Sequence, residues 1–187
     1  MEHLTVQANG ASFHVARLGA ERPLLLLHGW PEFWLTWEGV MARLADRFTL
    51  LAPDLRGFGD SDKPDGPFGP DQHAADMLAL MDALGLKQAG IIGHDVGGAL
   101  MQPLARQAPD RVAGLFFFDF VYPGIGPRMA EPDRLNNIWY QSFHQDGDGA
   151  RLDRRDAREL PHLYRAFLAA MVIPQARIRR CAGSLHQ

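Results

Sequence analysis

Apolar and polar positions along the chain fall into short blocks whose spacing alternates between strand-like and helix-like. Leu4–Gln7 and Phe13–Ala16 flank Asn9-Gly10, and an Asn-Gly pair between two β-prone segments predicts a hairpin turn. Pro23–Leu27 is apolar at every position and ends in His28-Gly29, the pattern of a strand buried on both faces. From Leu35 to Ala45 the spacing turns helical, with Trp37, Val40, Met41 and Leu44 on one side. Phe48–Ala52 is a second buried strand, closed by Pro53. Asp54 to Pro70 is rich in Gly and Pro and predicts a long turn region. Asp71–Leu84 reads as a helix, Ala89–Ile92 as a strand, Gly97–Gln107 as a helix stopped by Pro109, and Val112–Phe118 as a strong strand. Strands that alternate with helices predict an α/β fold with a largely parallel sheet.

The pattern changes after Val121. Pro123, Gly124, Gly126 and Pro127 break it, and two helical stretches follow near 132–145 and 155–172 with no convincing strand. This divides the chain into a core over 1–122, a partial helical cap over 123–175 and an unassigned tail over 176–187.

Composition narrows the class. With 187 residues, 47% hydrophobic and 22% charged, the chain suits one soluble globular domain with a small appendage. Net charge is −3, which gives no electrostatic case for nucleic acid. Residues 1–120 carry 9 basic against 15 acidic side chains, while residues 121–187 carry 10 against 7. The basic excess includes Arg151, Arg154, Arg155 and Arg158, which read as a solvated helix face. A single cysteine, Cys181, excludes an intramolecular disulfide and fits a reducing compartment. Met1–Thr5 shows no basic, then apolar, leader pattern, and no run approaches the length of a membrane span. The expectation is a cytoplasmic protein with no membrane partner.

The candidate chemistry centres on Gly93-His94-Asp95-Val96-Gly97-Gly98, which follows a strand and opens a helix. It has the form glycine, any residue, nucleophile, any residue, glycine, the signature of a nucleophile elbow. Side chains two residues before and after the central position would clash in so sharp a turn, hence Gly93 and Gly97. The central residue here is Asp95. A carboxylate needs no base to become nucleophilic and can displace a leaving group from an sp³ carbon, forming an ester. The residues alone leave a second role open for Asp95, that of helix N-cap. A dinucleotide site fits less well, because Gly90, Gly93 and Gly97 lack the G-x-G-x-x-G spacing. His28-Gly29-Trp30-Pro31 closes an earlier buried strand. His28 and His94 read first as hydrogen-bonded structural histidines, and Trp34 and Trp37 as packing. The loop Asp54-Leu55-Arg56-Gly57-Phe58-Gly59-Asp60-Ser61 reads as a tightly hydrogen-bonded structural segment.

HGWPEFW at 28–34, DLRGFGDSDKP at 54–64 and GHDVGG at 93–98, in this order and spacing, resemble the α/β-hydrolase superfamily and its epoxide hydrolase branch. WYQSFHQ at 139–145 extends the resemblance, which covers roughly 3–145. It implies an α/β-hydrolase fold: a mostly parallel sheet with flanking helices, a partial helical cap, and the last core strands missing. It implies attack by Asp95 on an epoxide carbon, giving an alkyl-enzyme ester and then a diol. Tyr140 would act as the acid that protonates the opened ring. The amides of Trp30 and Val96 would form the oxyanion hole, with His28, Gly29, Pro31, Gly93, His94 and Gly97 in support. The substrate would be a small apolar epoxide, with no cofactor and no metal. The alternatives are a haloalkane or haloacid dehalogenase, which shares the Asp nucleophile, and a non-catalytic truncated remnant. Val96 stands where such dehalogenases often carry Trp, which favours the epoxide.

The resemblance also implies a water-activating histidine beyond the cap, and neither His144, His162 nor His186 stands in a matching context. The expectation is a C-terminally truncated member that forms the ester and stalls there. Tyr164 matches poorly as a second ring-opening tyrosine. Asp119 is either a loop-capping residue or an alternative carboxylate of the catalytic set. Val112–Phe118 would be an exposed, aromatic sheet edge prone to self-association.

Overall fold

The computed structural model describes residues 1–65 and 68–120. The cap and tail proposed for 123–187, with Tyr140, Tyr164 and the three C-terminal histidines, lie outside the described residues.

Met1–Val121 forms one compact unit. Its strands are β1 (Glu2–Ala8), β2 (Ala11–Leu18), β3 (Arg22–Leu27), β4 (Phe48–Pro53), β5 (Ala89–His94) and β6 (Val112–Phe118); its helices are α1 (Glu38–Leu44), α2 (Pro70–Ala83) and α3 (Val96–Gln107). The six strands form one sheet in the order β1-β2-β4-β3-β5-β6. The β1–β2 and β2–β4 pairs are antiparallel; β3 pairs parallel with β4 and β5, and β5 with β6. Asn9 and Gly10 both take positive φ, 45° and 72°, the two-residue turn that matches strand twist. No helix among the described residues is long and apolar enough to cross a membrane.

Alternation along the central strands builds two cores. Leu25 and Leu27 of β3 face α2 and α3, packing with Met77, Leu80, Leu100, Met101 and Leu104. Leu24 and Leu26 face the other way, toward Trp34, Leu35, Trp37 and Met41. Each fully buried leucine stabilises the fold by about 1.5–3 kcal/mol relative to exposure. This is why Leu24–Leu27 of β3 are apolar without a break.

The chain leaves β3 for β4 on one side and then returns across β3 to β5 on the other. Strand order therefore reverses at β3, and the carboxyl ends of β3 and β5 flank the resulting crevice, where open α/β sheets bind ligands. Register brings the motifs together there: Leu27 pairs with Gly93 and Gly93 with Phe117.

One element differs from the helix expected over 35–45. Trp34–Trp37 is a 3₁₀ turn, and α1 begins only at Glu38. The Trp34 amide is held by the buried Asp54 carboxylate at 2.7 Å and the Thr36 amide by the Phe33 carbonyl at 3.1 Å, which tightens the first turn.

Candidate active site

Asp95 sits at the apex between β5 and α3 with φ 50° and ψ −112°, a strained conformation for a residue with a side chain. Backbone bonds fix it in place: Ala99 donates to the Asp95 carbonyl at 3.1 Å, and Gly97 donates to the His28 carbonyl at 3.0 Å. The flanking glycines are required by space. A Cβ on Gly97 would run into the carbonyl of Leu27, and one on Gly93 would strike the Met101 sulfur. A Cβ on Gly29 would lie 2.6 Å from Cβ of Asp95. The closeness of the β3 and β5 termini thus depends on three missing side chains.

The two sequence motifs meet at this point. The Trp30 amide donates to Oδ1 of Asp95 at 2.9 Å. Val96 begins α3, so its amide lies in the first turn at the positive end of the helix dipole. Pro31 follows Trp30 through a cis peptide bond.

Glu32 is a site residue the sequence reading did not single out. Its Oε2 accepts from the Gly29 amide at 3.1 Å and faces Nδ1 of His94 at 3.0 Å. It therefore cross-links the loop after β3 to the residue preceding Asp95. Burial pushes the Glu32 carboxyl up, but His94 and the Gly29 amide together hold it below its ordinary value. The hydrogen bond to Glu32 raises the His94 pKa, outweighing the opposing effect of burial. Nε2 of His94 lies 3.5 Å from Oδ2 of Asp119, and its ring packs against Phe118 with centroids 5.0 Å apart. Asp119 itself is largely exposed at the end of β6 and, like Asp95, has φ 50°. His94 thus bridges two carboxylates.

His28 is hydrogen-bonded through both ring nitrogens. It is fully buried, its Nδ1 donates to the Gly29 carbonyl at 2.8 Å, and its Nε2 accepts from the Leu55 amide at 2.9 Å. Those partners define a neutral ring, and burial lowers its pKa. Trp34 and Trp37 are buried in the core on the α1 side.

The Asp54–Ser61 loop is hydrogen-bonded throughout. Asp54 accepts from the amides of Trp34 and Asp60, and Ser61 donates to the Asp54 carbonyl at 2.7 Å. Arg56 makes a two-pronged bond to Asp76 of α2, at 2.7 and 2.6 Å, and also donates to the Asn9 carbonyl. The loop ties the hairpin turn to α2.

An open α/β sheet, a strained elbow at its switch point and an amide aimed at the elbow side chain meet at the carboxyl ends of β3 and β5. The chain belongs to the alpha/beta hydrolase fold family, whose profile matches residues 22–167. It is 42% identical over 149 residues to the soluble epoxide hydrolase of Corynebacterium sp. (strain C12), covering 77% of this chain and 52% of that one. It is 39% identical over 118 residues to epoxide hydrolase 2 of Siraitia grosvenorii, covering 62% of this chain and 37% of that one. The solved structure of the epoxide hydrolase CorEH without ligand superposes with a TM-score of 0.88 at 31% identity, covering 98% of this chain and 67% of that one. The chain spans about half or less of the length of these two curated relatives.

Proposed function

We propose that Asp95 is the nucleophile of an epoxide-opening hydrolase reaction. The observation that carries this reading is the bond from the Trp30 amide to Oδ1 of Asp95. It holds one carboxylate oxygen and leaves Oδ2 to attack. Oδ2 forms a bond to an epoxide carbon as the ring C–O bond breaks, and the released alkoxide takes a proton, the role that the family resemblance gives to Tyr140. The product is an ester at Cγ of Asp95. When water adds to that carbon and gives up one proton to solvent, the negative charge develops on Oδ1. The Trp30 donor already lies within the 2.7–3.1 Å range that oxyanion stabilisation requires. The Val96 amide is the second donor. Collapse of the intermediate breaks the ester bond, the leaving oxygen takes the proton of the added hydroxyl, and the carboxylate is regenerated as a diol is released. The similarity to epoxide hydrolases supports the choice of substrate class.

Styrene oxide is a suitable probe. Rapid-quench mass spectrometry of the wild-type chain is expected to show one added substrate mass on the peptide containing Asp95. Asp95→Asn is expected to show none. An adduct of equal yield in Asp95→Asn would refute the assignment.

A further inference from the structure

Asn9-Gly10, the turn between β1 and β2, is also a point where an exposed side chain reaches a buried charge. Both residues are exposed, and a Cβ on Gly10 would meet nothing within 4 Å, so the backbone there is open to approach. Nδ2 of Asn9 donates to Oδ1 of Asp76 at 2.7 Å. Asp76 is fully buried, and the same oxygen accepts from Arg56 at 2.6 Å and from Gln72 at 3.0 Å. Arg56 in turn donates to the Asn9 carbonyl at 3.0 Å. Burial pushes the Asp76 carboxyl up, but the bonds from Arg56, Asn9 and Gln72 outweigh it and hold the group below its ordinary value. One amide on an exposed turn therefore helps to keep a buried carboxylate charged.

An asparagine followed by glycine carries an electrophile and a nucleophile side by side. The backbone nitrogen after the asparagine can attack the side-chain Cγ and close a five-membered ring. A side chain on the following residue hinders that approach, and glycine has none. The chain has two other asparagines, Asn136 and Asn137, which are followed by Asn137 and Ile138 and lack this opening.

We propose that Asn9 is a site of spontaneous deamidation, restrained in the folded protein by its hydrogen bond to Asp76. When the side chain leaves Asp76, the Gly10 nitrogen gives its proton to a solvent base and forms a bond to Cγ of Asn9. The Cγ–Nδ2 bond breaks, and Nδ2 takes up a proton and leaves as ammonia. Water then opens the cyclic imide at either carbonyl, giving aspartate or isoaspartate at position 9. One water enters and one ammonia leaves, with no oxidant or reductant. Either product removes a donor from Asp76 and adds a negative charge beside it. Isoaspartate also lengthens the backbone of a two-residue turn by one carbon, which disturbs the register that the turn sets. The modification therefore loosens the joint between the hairpin, α2 and the Asp54–Ser61 loop. The proposal is independent of the reaction assigned to Asp95.

The test is incubation of the whole chain in warm, mildly alkaline buffer, followed by tryptic peptide mapping with fragmentation to locate the change. The Met1–Arg17 peptide is expected to convert to two acidic forms altered at Asn9, while Leu135–Arg151 keeps Asn136 and Asn137. In urea, where Asp76 no longer holds Nδ2, conversion is expected to run about tenfold faster, the equivalent of one hydrogen bond to a charged group. Asn9→Asp, verified as folded by circular dichroism, is expected to melt about 2–4 °C below the wild type. Retention of Asn9 throughout the incubation, equal rates in the folded and unfolded chain, or an Asn9→Asp variant as stable as the wild type would overturn the proposal.

Discussion

The Trp30 amide and Oδ1 of Asp95 are 2.9 Å apart across a sequence separation of 65 residues. Only the parallel pairing of β3 with β5 brings them together, so perturbing that approach should disturb the site before it disturbs the fold.

Gly29→Ala tests this directly. The new Cβ would lie 2.6 Å from Cβ of Asp95, and the loop must yield. Overpacking of this kind costs about 1–3 kcal/mol. The expected outcome is a folded protein with a modestly lower melting temperature and a much slower adduct-forming rate. An unchanged rate would show that the loop position does not matter to Asp95.

Gly97→Ala should be worse, because the Cβ meets the backbone of Leu27 in the central strand, which cannot rotate away. We expect at least about 3 kcal/mol of destabilisation, at the upper end of overpacking costs, measured by urea unfolding. A variant as stable as wild type would mean that the elbow can open.

The Glu32–His94 pair predicts a pH signature. His94 titrates above its ordinary value of 6.5, so its contribution is complete below about pH 6.5 and fades as pH rises through the raised value. Glu32 titrates below its ordinary value of 4.5, so its contribution is complete above about pH 4.5 and fades as pH falls through the lowered value. The pair stabilises most between those limits. Glu32→Gln should therefore lose more stability at about pH 5.5 than at about pH 8.5. Some loss will persist at the higher pH, because Glu32 also accepts from the Gly29 amide whatever the charge of His94. A deficit that does not vary with pH would remove His94 from the account.

Arg56 and Asp76 form a buried, doubly hydrogen-bonded pair. Removing one partner strands the other charge, at a cost of about 3–5 kcal/mol. Arg56→Met should approach that loss in chemical denaturation, whereas exchange of both residues for apolar ones should cost much less. Additive losses in the double variant would contradict the pairing.

Among the described residues, Leu115, Phe116, Phe117 and Phe118 of β6 are exposed, with Phe116 at 62%. A flat aromatic edge of this kind favours association between copies. Sedimentation velocity is expected to show concentration-dependent self-association, reduced in Phe116→Lys. A wild type that stays monomeric across the accessible concentration range would refute this.

The elements the sequence announced were those with local causes. Asn9-Gly10 forces its own turn, the five apolar positions of Pro23–Leu27 require burial on both faces, and Gly93 and Gly97 stand where a Cβ would clash. Boundaries set by distant partners were not legible. Strand β5 runs two residues beyond the expected Ala89–Ile92 because Gly93 and His94 pair with Phe117 and Phe118. The 3₁₀ turn at Trp34 arises from the carboxylate of Asp54, 20 residues away. Glu32 was hidden for the same reason: in sequence it is a charge in a loop, and it becomes a cross-link only when β3 and β5 are neighbours. Its place in the HGWPEFW segment was the available signal.

The return path from β4 across β3 to β5 also governs the order in which a growing chain can fold. The hairpin, β3 and β4 can assemble once residue 53 has emerged, with one edge of β3 covered by β4 and the other bare. Leu24–Leu27 on that bare edge wait for Gly90–Gly93, 66 residues further along the chain. At roughly 5–20 residues per second of synthesis this leaves the apolar edge of the central strand open for roughly 3–13 s. During that interval a nascent chain is most exposed to capture by a neighbour on the same messenger, or by a chaperone.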